Sequence, residues 1–223
     1  MRRIICMLSW NLEELRDLQK KIAKRVILKD RFRKPITSIA GIDLAFKEDR
    51  AITAYVLMAF PSQKIIHKKI AISPIEFPYI PTFLSFREGP PIVKVINSLD
   101  VKPDVFMINA HGIAHPSFCG CASHVGVLTQ NPTIGVAQSN LCGKYKVTPE
   151  EVDKYVPLFY ESRAVGWIFK SKKSCRHIFI SPGHLVSLES SIEITRGCMG
   201  KYKLPSPLYY AHKLASETKR KNS

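Results

Sequence analysis

The sequence predicts an α/β protein in which one mixed β-sheet carries helices on its faces. Two patterns support this prediction: three apolar runs in the N-terminal half are joined by short polar connections, and the apolar runs that follow alternate with helical segments. Short connections favour antiparallel hairpins, whereas alternation of strand and helix favours parallel pairing. At 223 residues, without repeats or a linker, the chain fits one sizeable domain. We therefore expect three antiparallel strands followed by parallel strands in a single sheet.

The N-terminal half is predicted to consist of a basic helix, three strands and a second helix. Leucine, isoleucine and valine recur at helical spacing after Ser9, the predicted N-cap, while lysine and arginine fill the opposite face. The next three apolar runs have strand composition and are separated by KEDR and PSQ. In order, the predicted elements are a helix over residues 9–30, strands over 36–46, 51–60 and 64–72, and a helix over 82–98 interrupted by Gly89-Pro90-Pro91.

The C-terminal half is predicted to alternate strands and helices before a basic tail. The runs PDVFMI and TIGVA are apolar nearly throughout, as in strands that are buried on both faces. The last residues are rich in lysine and arginine and poor in apolar residues, which predicts a disordered tail. The predicted elements are strands over 103–108, 133–137, 167–170 and 177–181, helices over 118–129 and 185–199, and a tail over 216–223.

The charge of the chain indicates a polyanionic partner. Its 34 lysines and arginines against 18 aspartates and glutamates leave a formal net charge of +16, and such an excess attracts nucleic acids or anionic membranes. No apolar segment approaches the roughly 20 residues needed to span a bilayer. The first ten residues, MRRIICMLSW, begin like a signal peptide, but their apolar stretch is too short for one. We expect a cytoplasmic protein that binds nucleic acid rather than membrane, and nothing in the sequence requires more than a monomer.

The six cysteines form no regular disulfide framework. One grouping stands apart, because two histidines and two cysteines fall within eleven residues: His111, His115, Cys119 and Cys121. A zinc site is one interpretation, but the Cys-Gly-Cys step is tighter than the gap in common zinc modules. The favoured interpretation is that the cysteines are small buried thiols.

A polar segment follows the apolar run that ends at residue 108. The sequence INAHGIAHP, residues 108–116, places Asn109, His111 and His115 at or just beyond the end of a buried strand. Open α/β sheets bind their ligands at the carboxyl ends of strands. A strand end with a purely structural role does not need three such side chains, so we expect the functional site here.

Two acidic residues complete the candidate site. Asp43 lies among apolar residues in GIDLAF, where an unpaired buried carboxylate is costly, so it is either a hydrogen-bonded core residue or a metal ligand. Glu88, in LSFREGPP, is either a solvated helix residue or a second ligand. Asn109 would lie beside Asp43 if the first and fourth strands are neighbours. Two carboxylates and an amide oxygen suit Mg²⁺ and predict a phosphodiesterase site with one weakened ligand.

Four segments resemble the endonuclease V family of deoxyinosine-directed repair nucleases. They are GIDLAF, PYIPTFLSFREGPP, HGIAHPSFCGCASHVGVLTQNPTIGVAQSNLCG and YKLPSPLYYAH, and the resemblance runs in register from about residue 10 to 215. It implies an RNase H-like fold and a single endonuclease V-like domain over residues 1–215. It also implies Mg²⁺ as cofactor, with Mn²⁺ as a substitute, and phosphodiester hydrolysis near inosine in DNA or RNA.

The resemblance assigns catalytic roles to residues of the candidate site. Asp43 and Glu88 match the family's catalytic and metal-binding acids, and His212 matches a C-terminal histidine implicated in catalysis or metal positioning. Asn109 stands where the family has an aspartate, and Gln138 where it has a lysine. Both belong to the inferred catalytic set, so this chain carries two weakened members.

The resemblance also assigns nucleic-acid contacts. Tyr79, Ile80 and Pro81 match a wedge of rigid apolar groups that separates the strands at the lesion. Without the resemblance, a loop that packs these residues on the core is an equally good interpretation. The residues expected at the pocket for the flipped base are Gly112, His115 and Gly120.

Departures from the family pattern leave two hypotheses open. Beyond Asn109 and Gln138, basic residues of the family are replaced by Ser117, Phe118 and Tyr209. Loss of one preorganised charge slows comparable reactions by about 10²–10³. The first hypothesis is a working nuclease in which Asn109 is a weak third metal ligand, and the intact acids and C-terminal histidine favour it. The second is a catalytically degenerate relative that binds damaged or structured nucleic acid without cleaving it, and the clustered replacements favour it.

Overall fold

The fold is an eight-stranded mixed sheet with helices on both faces, which a computed structural model describes for residues 10–221. The strands are β1 (Ser38–Lys47), β2 (Arg50–Ala59), β3 (Ile65–Pro74), β4 (Val105–Ile108), β5 (Thr133–Ala137), β6 (Tyr155–Tyr160), β7 (Arg163–Phe169) and β8 (Ile178–His184). The helices are α1 (Leu12–Ala23), α2 (Leu84–Asn97), α3 (Cys121–Thr129), α4 (Leu188–Gly197) and α5 (Ser206–Lys221). None of these helices is long and apolar enough to cross a membrane.

The strands lie in the order β3-β2-β1-β4-β5-β8-β7-β6. The first three strands of the chain pair antiparallel through short connections, and β1, β4 and β5 pair parallel. The predicted sheet of three antiparallel strands followed by parallel strands is therefore confirmed. Strands β8, β7 and β6 then extend the sheet in antiparallel fashion, which the sequence does not predict.

Strand β4 shows how the helices fix the centre of the sheet. Its side chains alternate between faces: Val105 and Met107 join a cluster with α4 and α5, whereas Phe106 and Ile108 pack with α2 and α3. All four are at most 1% exposed. The carboxyl end of β4, where the polar segment begins, is thus held from both sides.

Helix α2 is continuous through Gly89-Pro90-Pro91, so the predicted interruption is wrong. The fixed φ of proline is compatible with a helix, although each proline removes a backbone hydrogen bond and its ring crowds the carbonyl of the preceding turn. Burial of Pro91, Ile92 and Ile96 offsets that loss. Tertiary packing therefore overrides the local signal.

Helix α1 is shorter than the predicted helix over residues 9–30. The predicted N-cap Ser9 lies outside the described residues, and Asn11 caps the helix by accepting hydrogen bonds from two N–H groups of the first turn. Beyond the helix, the backbone of Ile27 bonds to residues 184–185 instead of continuing the helical pattern. These tertiary bonds end the helix before the apolar periodicity does.

Helix α5 is absent from the sequence prediction. It includes residues 216–221, which corrects the expected disordered tail, while residues 222 and 223 lie outside the described part. The helix starts with Ser206-Pro207, a favoured helix start, and buries Leu208, Ala211 and Ala215 at helical spacing. Because two of these three residues are alanines, the apolar stripe is too weak to recognise from hydropathy.

Strand β6 is also missing from the sequence prediction, because Pro157 lies within it. Proline cannot donate a ladder hydrogen bond, but β6 is an edge strand, where such a gap is tolerated. The hairpin with β6 also extends β7 back to Arg163, ahead of the predicted strand at 167–170.

Candidate active site

Asp43 and Asn109 lie side by side because β1 and β4 are neighbours. The parallel pairing aligns Ile42 with Ile108, and the N–H of Asn109 donates to the carbonyl of Ile42 at 3.1 Å. The Nδ2 group of Asn109 donates to Asp43 Oδ1 at 2.8 Å. Asp43 is only 5% exposed, so this bond satisfies a carboxylate that the strand buries. The expected neighbourhood of the first and fourth strands is confirmed.

His212 binds the second oxygen of the same carboxylate. It lies on α5, which packs across β1 and β2, and its Nδ1 is 2.7 Å from Asp43 Oδ2. The hydrogen bond to Asp43 raises the pKa of His212, against the opposing effect of burial. The packing depends on Gly41, where a Cβ atom would lie 2.2 Å from the backbone of Pro207. Glycine at this position lets α5 approach β1 closely enough for the contact.

Glu88 brings a second carboxylate to the same end of the sheet. It lies on α2 and, with Asn109, lines an active-site cavity of about 290 Å³. Burial, together with the negative charge of Asp43, raises the pKa of Glu88 to about 7, although the cation of Arg87 opposes the shift. Two acids therefore share a poorly solvated site.

The donor set of this site fits a hard divalent cation. Mg²⁺ and Mn²⁺ favour carboxylate and amide oxygens, which Asp43, Glu88 and Asn109 bring to one place. A cation there would reduce the repulsion that raises the pKa of Glu88. Among residues 10–221, no group of three or more His, Cys, Asp or Glu side chains is arranged to hold a metal ion. The third member of this set is an amide, so the site offers two charged ligands rather than three.

His115 and Thr82 form part of the cavity wall. His115 Nδ1 accepts a hydrogen bond from the N–H of Ser117 at 3.0 Å, so Nε2 is the donor to the carbonyl of Thr82, also at 3.0 Å. Burial lowers the pKa of His115 to about 4, so the ring is neutral at physiological pH. The Thr82 carbonyl also accepts from Gln19 Nε2 at 2.7 Å. These bonds hold Thr82 at a φ of 68°, which is rare for a β-branched residue.

Tyr79 lies at the mouth of the cavity with 67% of its surface exposed. Pro81 also lines the cavity, and Ile80 between them is partly exposed. The base of the loop is fixed, because Phe77 is buried and its carbonyl accepts from Arg87 Nη1 at 2.8 Å. The exposed Tyr79 ring is therefore not packed on the core, and the wedge role of residues 79–81 stays a prediction.

The two glycines expected at the base pocket have different surroundings. Gly120 lines the cavity, and its N–H donates to the carbonyl of Gly112 at 2.8 Å. Gly112 lies behind the wall: its N–H donates to Ser181 Oγ at 2.8 Å, and a Cβ atom would lie 2.2 Å from the carbonyl oxygen of Pro182. Close packing on β8 accounts for a glycine at this position, and the expected contact of Gly112 with a base stays a prediction.

Within the described part of the chain, the histidine and cysteine grouping at 111–121 is not arranged to hold a metal ion. Cys119 packs between α1 and α3, and Cys121 is buried in the cluster beneath α2. Burial raises the pKa of the Cys119 thiol to about 12. The interpretation of these two cysteines as buried thiols is confirmed.

A lysine from another segment lies beside Gln138. Gln138 follows β5 at the rim of the cavity, and its Oε1 accepts a hydrogen bond from Lys203 Nζ at 3.1 Å. A positive charge thus lies next to the position where the family pattern has a lysine. Tyr209, which replaces a basic residue, stacks on Tyr202 with ring centroids 3.3 Å apart. Sequence reasoning missed Lys203, for which the only local signal is the lysine content of KYKLP.

The fold and the site together define a class of protein, the nucleases that carry acidic residues on an RNase H-like sheet. The family model for endonuclease V matches residues 20–213. The endonuclease V of Rippkaea orientalis is 39% identical over 208 residues, which cover 92% of this chain and 90% of the relative. The chain belongs to the endonuclease V family.

Solved structures of this family share the fold. The crystal structure of endonuclease V from Streptomyces avermitilis has a TM-score of 0.86 at 30% identity, covering 94% of this chain and 93% of that one. Ciona intestinalis endonuclease V, in complex with a DNA 24-mer that contains an inosine followed by a ribo-adenosine, has a TM-score of 0.82 at 23% identity, covering 95% of this chain and 98% of that one. The second likeness concerns the fold alone. The RNase H-like fold that the sequence resemblance implies is confirmed.

Proposed function

We propose that this chain is a metal-dependent endonuclease that hydrolyses a phosphodiester bond near a deaminated purine, such as inosine, in DNA or RNA. The observation that carries the proposal is the meeting of Asp43 and Glu88 beside a cavity, in a chain of the endonuclease V family. The net charge of +16 supports a nucleic-acid partner. A monomeric state and a cytoplasmic location remain predictions.

Asp43, Glu88 and Asn109 would hold Mg²⁺, with Mn²⁺ as a substitute. When bound, such a cation neutralises charge on the scissile phosphate and makes the attacking water more acidic. The donors on Asn109 and His212 each bind one oxygen of Asp43 and so fix the orientation of that carboxylate. The His212 side chain is 54% exposed. Its raised pKa favours the protonated imidazole ring, which would lie between Asp43 and the bound substrate.

The remaining residues of the cavity position the nucleic acid. The ammonium of Lys203, held by Gln138, stabilises negative charge that develops at the phosphate. His115, Gly120 and the cavity wall receive the extruded base, while the exposed ring of Tyr79 replaces its lost stacking partner.

Cleavage of a labelled oligonucleotide that carries one inosine tests this proposal. DNA and RNA versions are incubated with Mg²⁺, with Mn²⁺ or with EDTA, beside a matched oligonucleotide that carries guanosine at the same position. We expect cleavage that requires both the metal and the inosine. Tight binding without cleavage in either metal would contradict the proposal and support the binding protein on a nuclease scaffold.

A further inference from the structure

A second cavity adjoins the active-site cavity. This lateral cavity, of about 720 Å³, lies between α1, the loop before α2, the loop before α3 and the turn from β6 to β7. Thr82 lines both cavities. The two cavities are therefore neighbours that meet at Thr82.

The lateral cavity is strongly basic. Four cationic side chains line it, against the single carboxylate of Glu161. Lys20 is paired with Asp17 at 3.4 Å, whereas the other three form no ion pair with a carboxylate of residues 10–221. The four cations are Arg16, Lys20, Lys24 and Arg163.

Arg16 is held in place by the protein itself. Its Nη1 donates to Thr82 Oγ1 at 3.3 Å and to Ser117 Oγ at 3.4 Å. Its guanidinium also lies over the ring of Phe83, 4.4 Å from the centroid. Among residues 10–221, these hydrogen bonds engage only Nη1, so the other N–H groups of the guanidinium can bind a ligand. A fixed guanidinium with several donors favours a phosphate, which it can bind through two hydrogen bonds.

Phe118 adds an aromatic surface to this cavity. Its ring is partly exposed there, 5.7 Å from the guanidinium of Arg163 and 5.4 Å from the ring of Tyr160. Single-stranded nucleic acids bind to surfaces of this kind, because phosphates pair with the cations while bases stack on the aromatic rings.

The cations come from segments outside the loop that departs from the family pattern. Where the pattern has two basic residues after His-Pro, this chain has Ser117 and Phe118, and both line the lateral cavity. Arg16 from α1 binds Ser117, and Arg163 from β7 faces Phe118. Helix α1 and strand β7 thus supply the cavity with the positive charge that this loop lacks.

We propose that the lateral cavity binds the single-stranded segment next to the inosine, with its cations on backbone phosphates and Phe118 stacked on a base. This proposal rests on the proposed function, because the position of the lateral cavity next to the active-site cavity is what makes a nucleic-acid strand, rather than a free anion, the ligand.

The salt dependence of binding tests the charge part of this proposal. A fluorescein-labelled single-stranded DNA with one inosine is titrated by anisotropy in EDTA over a series of NaCl concentrations. The logarithm of the affinity falls linearly as the logarithm of the salt concentration rises. On a single strand, each lost phosphate contact reduces the magnitude of this slope by about 0.7. We expect a loss of about 0.7 for Arg163→Gln and for Lys24→Gln, and roughly twice that for the double variant.

Arg33→Gln is the matched control. It removes the same charge from an exposed position near Asp104, at the opposite end of β4 from Asn109, and should keep the wild-type slope. Phe118→Leu should lower affinity about tenfold and leave the slope unchanged, because stacking does not release counterions. Slopes for Arg163→Gln and Lys24→Gln equal to that of Arg33→Gln would overturn the proposal.

These titrations are independent of cleavage, because they contain no metal and their slope counts phosphate contacts on any strand. Replacing inosine by guanosine in the same DNA tests the proposed function separately. Equal affinity for the two DNAs would contradict inosine recognition and leave the slope comparison intact. Each variant is first compared with wild type by thermal unfolding, and Lys24→Gln, at an exposed helix end, gives a second reading if Arg163→Gln is unstable.

Discussion

Asn109 illustrates, at the scale of single residues, a balance between stability and metal affinity. Its amide donates to Asp43 at 2.8 Å, where an aspartate would place two like charges in contact. The amide therefore stabilises the buried carboxylate when no cation is present. The same amide would contribute no negative charge to a cation, so it would weaken the proposed metal site.

Asn109→Asp is expected to shift this balance toward metal binding. A third carboxylate repels Asp43 and Glu88, so we expect the free energy of unfolding in EDTA to fall by about 2 kcal/mol. The Mg²⁺ concentration for half-maximal cleavage should fall roughly tenfold, since ligand charge sets affinity. Thermal unfolding with and without Mg²⁺ measures the first effect, and a metal titration of cleavage the second. An unchanged Tm in EDTA would contradict the contact between Asn109 and Asp43.

Lys203→Met is expected to slow cleavage, because it removes the ammonium beside Gln138. A preorganised charge donor in a closed site accounts for about 10²–10³ in rate, but this contact is exposed, so we expect roughly tenfold. Gln138→Lys in the same background returns a cation to the rim and should restore the rate. Lys201→Met removes a neighbouring exposed lysine and should keep the wild-type rate in single-turnover assays. Absence of rescue would exclude an electrostatic role for Lys203.

At the scale of secondary-structure elements, the close packing of α5 on β1 positions the residues of the site. Gly41 lies two residues before Asp43 on β1, directly beneath the start of α5. His212 reaches Asp43 from the second turn of that helix. Any residue that lifts α5 from the sheet therefore affects both the stability of the core and the orientation of the Asp43 carboxylate.

Gly41→Ala is expected to lower the free energy of unfolding by about 3 kcal/mol, because the new Cβ would meet the backbone of Pro207. Cleavage should fall as well, since the contact between His212 and Asp43 is disturbed. Gly89→Ala is the matched control: its Cβ would meet only Val125 at 4.0 Å, and within α2 it should add about 0.5–1 kcal/mol. Urea unfolding compares the two, and equal changes would show that α5 does not constrain residue 41.

Asp104 joins the start of β1 to the start of β4. Its Oδ2 accepts from the backbone and hydroxyl groups of Thr37 and Ser38 at 2.8–3.4 Å. Burial alone would raise the pKa of Asp104, but these hydrogen bonds outweigh burial and lower it below the ordinary value of 3.8. Asp104 therefore contributes stability above the unfolded-state pKa and loses it as the pH falls through the lower folded-state pKa.

Asp104→Asn should lower the free energy of unfolding at pH 7 by about 1 kcal/mol, since the site is partly solvated and only the charge is lost. The difference from wild type should shrink below the ordinary pKa of 3.8, where the wild-type carboxyl is protonated too. Urea unfolding at neutral and acidic pH measures this. A difference that does not depend on pH would contradict the role of the charge.

At the scale of the whole molecule, the sheet order explains which parts of the site are predictable from sequence. Asp43 and Asn109 could be predicted as neighbours, because each interrupts or ends a strongly apolar strand. Lys203 and Arg16 could not, since their positions depend on how α5 and α1 pack rather than on any local pattern. For the same reason, hydropathy does not predict the alanine-rich stripe of α5, because its burial depends on packing against the neighbouring strand.

Single-turnover cleavage of an inosine-containing DNA in Mg²⁺ tests most directly the central claim that the Asp43 carboxylate is required for metal-dependent hydrolysis. Wild type is compared with Asp43→Asn and with Asp104→Asn, which removes an equal charge from another hydrogen-bonded aspartate outside the site. We expect Asp43→Asn to lose about 10³-fold in rate and Asp104→Asn to cleave at nearly the wild-type rate. Equal rates for wild type and Asp43→Asn would contradict the claim.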